Sequence, residues 1–165
     1  MPRYFISIGS NIAPYDNVPK ILQALLEIAS PLQVSRIIEN APVGMKSTNM
    51  FLNLTLALDS PLEATEIKDR FNAIEVQLGR DKTDPNRKKK DRPADIDIMY
   101  WVDEDVQVIP TELLPEESYN RPSLLELLDY MGLSAKATLP LLPTGAEIEI
   151  NGQKIGTQPS TLNKA

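Results

Sequence analysis

Residues 51–58, Phe-Leu-Asn-Leu-Thr-Leu-Ala-Leu, place a leucine at every second position. Side chains alternate across a strand, so Leu52, Leu54, Leu56 and Leu58 line one face. Phe51, Asn53, Thr55 and Ala57 line the other. An all-leucine face needs an apolar cover, and the flanking segments offer one. Val18, Ile21, Leu22, Leu25 and Leu26 recur at helical spacing, with Asp16 or Asn17 as N-cap and Pro19 in the first turn. Ser60 reads as a second N-cap, with Pro61 at the first position and Glu63 closing a capping box. Ile67, Phe71, Ile74 and Leu78 then form a buried stripe, and Gly79 suits the helix end.

Three more segments read as strands: 3–8, 32–38 and 95–101. The resulting order, β-α-β-β-α-β with short connections, predicts an α+β fold. It is a ferredoxin-like antiparallel sheet with both helices on one face. Residues 123–131 add a C-terminal helix. Glu147–Ile155 adds a hairpin with an Asn-Gly turn. The last ten residues read as loose. No repeat or linker divides the chain, which predicts one domain over 1–165 with its core in about 3–131.

The chain contains no cysteine and no histidine. This excludes disulfides, Cys/His zinc sites, cysteine nucleophiles and Ser/His/Asp triads. Phosphoryl transfer needs none of these, because positioning and charge stabilisation carry most of its catalysis. No apolar run approaches a membrane span. Met-Pro-Arg followed at once by a strand pattern is not a signal peptide, so a cytoplasmic location is expected. From Arg80 to Arg92 seven basic residues face three acidic ones, a local +4 on a chain of net charge −6. A basic loop on an acidic protein suits a small anion site better than a nucleic-acid surface.

The last strand of this pattern holds the chemistry. With Ile96, Ile98 and Tyr100 toward the helices, Asp95, Asp97 and Met99 face away. Two carboxylates on one strand face lie about 6–7 Å apart along it. Such a pair can hold Mg²⁺, which takes one or two carboxylates plus waters and substrate phosphates. A solvated face with incidental acids fits the same residues. Arg80 and Arg92 flank the basic loop and are placed to neutralise charge on a transferred group; Lys88 to Lys90 read as solvated. No Walker A pattern is present.

Several segments together resemble the 6-hydroxymethyl-7,8-dihydropterin pyrophosphokinase family of folate biosynthesis. They are Ile8-Gly-Ser-Asn11, Pro42-Val-Gly44, Phe51-Leu-Asn53, Ile74-Glu-Val-Gln-Leu-Gly-Arg80 and Arg92-Pro-Ala-Asp-Ile-Asp-Ile-Met99. The resemblance covers roughly residues 4–122, and its Arg-x-x-Asp-x-Asp element is the specific part. It implies a ferredoxin-like fold and Mg-dependent pyrophosphate transfer from ATP to a small pterin alcohol, by a monomer needing neither nucleic acid nor membrane. Asp95 and Asp97 would bind two Mg²⁺, and Arg80 and Arg92 would assist transfer. Glu75, Lys82, Arg92, Ile98, Thr111 and Arg121 would touch ATP. Pro42, Val43, Gly44, Phe51 and Asn53 would bind the pterin. Glu75 read alone is an ordinary solvated helical residue.

Three positions depart from the family. Pro115 is followed by Glu116 where a histidine is usual, and a loop tryptophan is absent. Pro122-Ser123-Leu124 stands where a stacking phenylalanine is expected, so one ring is missing unless Tyr119 fills its place. Two other readings fit a chain with these departures: a paralogue that binds Mg-ATP but serves another small substrate, and a non-catalytic RNA-binding module. The second would need more aromatics than Phe51, Phe5 and Trp101 on the open face.

Overall fold

The computed structural model describes residues 1–165. β1 (Pro2–Ser10) runs into α1 (Pro14–Leu26), then β2 (Leu32–Val34), β3 (Ile38–Asn40) and β4 (Phe51–Asp59). α2 (Ala64–Gln77) leads through a long loop to β5 (Asp95–Asp103) and β6 (Val108–Ile109). α3 (Arg121–Tyr130) is followed by β7 (Ser134–Ala135), β8 (Ile148–Ile150), β9 (Gln153–Ile155) and β10 (Ser160–Leu162). The result is a mixed α/β fold with three helices. Its antiparallel main sheet has the order β10-β2-β4-β1-β5, and β3 pairs with the start of β4. No helix is long and apolar enough to cross a membrane.

Each face of the sheet has its own core. The four leucines of β4 join Tyr4, Ile6 and Ile8 of β1 and Ile96 of β5 beneath α1 and α2. The opposite face is not free of helix, as the sequence had suggested. Phe5, Ala57 and Tyr100 pack there against Leu124, Leu125, Leu127 and Leu128 of α3. That helix covers one half of the face. The other half, around Ser7, Gly9, Asn53 and Asp97, stays open as a cavity.

Tyr100 sits on the side opposite to that expected. Phe5 pairs with Tyr100 but Ile6 pairs with Ile98, leaving Met99 as an extra residue in β5. A bulge of this kind shifts the alternation by one. It turns Tyr100 onto Phe5, with ring centroids 4.6 Å apart and planes 19° from parallel. Trp101 accordingly lies against Tyr4 on the other side.

Other local expectations fail for readable reasons. The strand expected over 32–38 breaks into β2 and β3 because Ser35 Oγ accepts the Thr55 N–H at 2.8 Å, a side chain in place of a ladder bond. α1 starts at Pro14 after Ala13 in the left-handed region (φ 40°). Asn17 is no cap; its amide donates to the Ile12 carbonyl at 2.7 Å. α2 starts at Ala64, and Ser60 Oγ accepts the Leu62 N–H instead of closing a capping box. Gly79 (φ 104°) does end the α2 region, a conformation that suits glycine. The β8–β9 hairpin turns at Asn151 (φ 50°) and Gly152 (φ 76°), both positive as a type I′ turn requires. The tail is not loose: β10 pairs with β2, setting Leu162 opposite Leu32. Ile148, Ile150, Ile155 and Leu162 all enter the larger core.

Candidate active site

The open half of the sheet is the floor of a cavity of about 700 Å³, within the range of small-molecule sites. β1 contributes Ser7 and Gly9, β4 contributes Phe51 and Asn53, and β5 contributes Asp95, Asp97, Ile98 and Met99. Val43 and Met45 wall one side and Lys88 and Arg92 another. Residues 113–117, Tyr119 and Asn120 close the third. Gly9 is required by close approach: a Cβ there would lie 2.8 Å from Asn53 Oδ1 and 3.6 Å from the Phe51 ring. Asn53 in turn donates to Asn40 Oδ1 at 2.6 Å.

Asp95 is held by two arginines. Its Oδ1 accepts from Arg80 Nη1 at 3.0 Å and its Oδ2 from Arg92 Nη1 at 3.1 Å. Burial opposes its ionisation, but the Arg80 and Arg92 guanidiniums outweigh that and keep the carboxyl below its usual range. Asp97, two residues on, has no cation within ion-pair distance. Although it opens onto the cavity, the walls desolvate it. That effect, ahead of the negative Asp95 beside it, pushes its pKa up to about 6. The guanidinium of Arg92 also lies 5.9 Å from the Phe51 ring centroid.

Glu75 is the least solvent-exposed acid near the site, with a side chain only 1% exposed. It is not the solvated helical residue that its sequence context suggested. Its Oε2 accepts from Arg80 Nη1 at 3.1 Å and from the Ile96 N–H at 2.9 Å, and Lys82 pairs with Oε1. Because β5 is an edge strand, the Ile96 peptide has no neighbouring strand on that side, and Glu75 takes the place of one. The acid thereby anchors the peptide between the two aspartates.

Of the residues expected in the site, Val43, Phe51, Asn53, Arg92, Asp95, Asp97 and Ile98 line the cavity. Arg80, Glu75 and Lys82 stand behind Asp95 as a linked group outside the lining. Pro42 and Gly44 flank Val43 without lining the cavity, and Thr111 lies in a 3-10 turn ahead of the wall. Arg121 also lies outside, donating to the Pro115 carbonyl at 3.3 Å. Ser123 and Leu124 are buried inside α3, where Ser123 Oγ donates to the Asn120 carbonyl. Neither can carry a ring into the cavity. Tyr119 lines it instead.

Sequence reading missed Asn40, Asn49, Asp91 and Asn120, and left Asn11 without a role. Polar amides in irregular segments carry no periodicity. Only Asn11 offered a signal, as the last residue of the Ile8-Gly-Ser-Asn11 segment that carries part of the family resemblance.

No cluster of three or more acidic side chains exists that could cage a metal unaided. The donor set of Asp95 and Asp97 nevertheless fits Mg²⁺: two oxygen-bearing carboxylates on a cavity floor, one lacking any cationic partner. Mg²⁺ completes such a set with water and phosphate oxygens.

A family profile described as 7,8-dihydro-6-hydroxymethylpterin-pyrophosphokinase (HPPK) matches residues 5–129. A Porphyromonas gingivalis protein named 2-amino-4-hydroxy-6-hydroxymethyldihydropteridine pyrophosphokinase is 36% identical over 129 residues, covering 75% of this chain and 82% of its own. A Bacillus subtilis protein of the same name is 25% identical over 167 residues, 97% of this chain and 93% of its own.

Proposed function

The chain belongs to the 7,8-dihydro-6-hydroxymethylpterin-pyrophosphokinase family, and from that premise we propose how its cavity performs the family reaction. The chain transfers pyrophosphate from ATP to 6-hydroxymethyl-7,8-dihydropterin in folate biosynthesis. The hydroxymethyl group gives up its proton to water as its oxygen bonds to the β-phosphorus, the bond from that phosphorus to the α,β-bridging oxygen breaks, and AMP leaves. The observation that carries the reading is the pair Asp95 and Asp97 on the floor of a cavity also lined by Phe51, Asn53 and Arg92.

Asp95 and Asp97 would hold Mg²⁺, two ions in this reading, which would supply charge neutralisation to phosphate oxygens. Arg92 exchanges its contact with Asp95 for the phosphates. Arg80, fixed by Glu75 and the Ala94 carbonyl, keeps Asp95 ionised and its carboxylate aimed. The Ile96 N–H points away from β1, toward Glu75, so Ile98 two residues on also turns its N–H outward. That free edge suits the ATP base, with Lys82, Thr111 and Arg121 around the nucleotide. Phe51 offers its ring, and Asn53 its amide, to the pterin beside the Pro42-Val43-Gly44 backbone.

The core order β2-β4-β1-β5, crossed by α1 and α2 on one face, supports a ferredoxin-like arrangement. The net charge of −6 accords with a protein that works without nucleic acid, and the same proposal takes the chain as a single-domain cytoplasmic monomer. The test is AMP release when the purified protein is mixed with ATP, Mg²⁺ and 6-hydroxymethyl-7,8-dihydropterin. Absence of AMP from folded protein would overturn the reading. Mg-ATP binding without turnover would instead indicate a paralogue with another small substrate.

A further inference from the structure

Three irregular segments meet on one carboxylate beside the cavity. Asp91 Oδ1 accepts from Asn11 Nδ2 at 2.8 Å, and Asp91 Oδ2 accepts from Asn49 Nδ2 at 2.7 Å. Asn11 also grips the next residue along. Its side-chain Oδ1 accepts the Arg92 N–H at 2.7 Å, and its own N–H donates to the Arg92 carbonyl at 3.0 Å. Asn11 is 2% exposed. Both ends of its amide and its backbone N–H are therefore used on two consecutive residues about 80 positions away in the chain.

What the three segments carry gives this cluster its meaning. Asn11 follows β1, whose Gly9 is in the cavity floor. Asn49 ends the loop that supplies Val43 and Met45 to one wall. Asp91 lies in the loop that supplies Lys88 and Arg92 to another. The tie sits at the root of the basic loop, directly before the arginine that touches Asp95. A carboxylate with two amide donors has definite geometry, and Asn11, the buried one of the two, also holds the Arg92 backbone at both its N–H and its carbonyl.

We propose that Asn11 and Asp91 are positioning residues that set the Arg92 backbone, and that Asn49 links the pterin-side loop to them, so that filling one wall orders the other. This rests on the transfer reaction proposed above. Asn11 and Asp91 touch no substrate. They act through Arg92, whose guanidinium must cross from Asp95 to the phosphates while its backbone stays fixed.

The arrangement predicts a specific rescue. Asn11→Asp keeps an acceptor for the Arg92 N–H but sets a carboxylate against Asp91. Adding Asp91→Asn exchanges donor and acceptor across the same contact, while leaving an acceptor for Asn49 Nδ2. Misplacement of a catalytic group by about 1 Å can cost a hundredfold. Asn11→Asp should therefore lower kcat by about tenfold to a hundredfold, with the KM for ATP little changed, and N11D/D91N should recover most of it. A purely structural role would lower the unfolding midpoint without this split. If Asn11→Asp does not fold, Asp91→Asn alone carries the test, through a kcat loss and faster exchange of the Arg92 amide.

The Asn49 link is read by calorimetry. A non-hydrolysable ATP analogue with Mg²⁺ should raise pterin affinity in the wild type, and Asn49→Ala should shrink that gain; no gain in the wild type would overturn the link. A double variant no better than Asn11→Asp, an Asp91→Asn variant with wild-type kcat and Arg92 exchange, or an unchanged affinity gain in Asn49→Ala would overturn the proposal. Failure of the transfer reaction itself shows separately, as wild-type protein that makes no AMP. Arg92 amide exchange tests the tie in either case.

Discussion

Replacing Glu75 with alanine strips three donors of one acceptor group, and they respond differently. The Ile96 N–H is buried with no other partner on that side of the edge strand, and an unsatisfied buried amide costs about 1–3 kcal/mol. Arg80 keeps the Ala94 carbonyl and Asp95, so its loss falls toward the low end of about 1.5–3 kcal/mol for a charged hydrogen bond. The Lys82 side chain is 31% exposed and turns to water at little cost. The total, about 3 kcal/mol, lies at the lower edge of the range for breaking a buried ion pair. With a urea slope of about 2 kcal/mol/M, the unfolding midpoint should drop by about 1.5 M. Glu75→Gln keeps an acceptor for Ile96 and should lose about half as much. Urea titrations followed by circular dichroism measure both. An alanine variant within about 0.5 kcal/mol of wild type, the range of ordinary surface changes, would refute the claim that Glu75 anchors β5.

Asp97→Ala should abolish AMP formation while leaving the urea midpoint unchanged or higher, since it removes a carboxylate that Asp95 repels; steady-state assay and titration decide together. In EDTA the wild type should lose stability as pH rises from the ordinary carboxylate value of 3.8 through about 6, because the fold disfavours ionising Asp97, and Asp97→Asn should flatten that slope. Gly9→Ala drives a methyl onto Asn53 Oδ1 and should raise the KM for the pterin about tenfold, or about 1.4 kcal/mol, with the KM for ATP unmoved. Leu162→Ala removes a side chain only 2% exposed from the larger core and should cost about 2–4 kcal/mol by denaturant titration. Amides of residues 82–89 should exchange more slowly when a non-hydrolysable ATP analogue and Mg²⁺ are bound, as expected of a closing lid; equal rates would refute the lid.

The parts of the fold legible in the sequence are those that repeat. The leucines of β4 and the stripe of α2 announced themselves by period, and Asn151-Gly152 by turn chemistry. Tyr100 was misplaced because a bulge has no sequence signature here: Met99 continues the alternation as well as any residue would. The tail escaped notice because three-residue strands such as β10 are shorter than any detectable period. The family resemblance brought the expected site residues forward, and the structure separates them into a cavity lining, a group behind Asp95, and Pro42, Gly44, Thr111 and Arg121 outside both. Glu75 shows why sequence could not make that division. Burial of a helical acid depends on what the neighbouring strand needs, and here an edge peptide lacked an acceptor. The Asn11–Asp91–Asn49 tie joins residues separated by tens of positions, and no local pattern reports such a contact.

A sheet with 24 buried residues in the core of one face and 10 in that of the other is expected to fluctuate locally in two units below its global unfolding. Proteins open through cooperative units of unequal free energy, and the smaller apolar cluster gives way first. Here that unit is α3 with Phe5, Ala57 and Tyr100, and the cavity wall from 113 to 120 runs directly into it. Any molecule bound against that wall adds its own binding free energy to the closing of the weaker unit, in proportion to the logarithm of its concentration over its dissociation constant. A substrate bound there would act as a removable cross-brace. The bound protein should resist proteolysis in and around α3 far better than the free protein, while cleavage within α1 and α2 follows the stability of the whole.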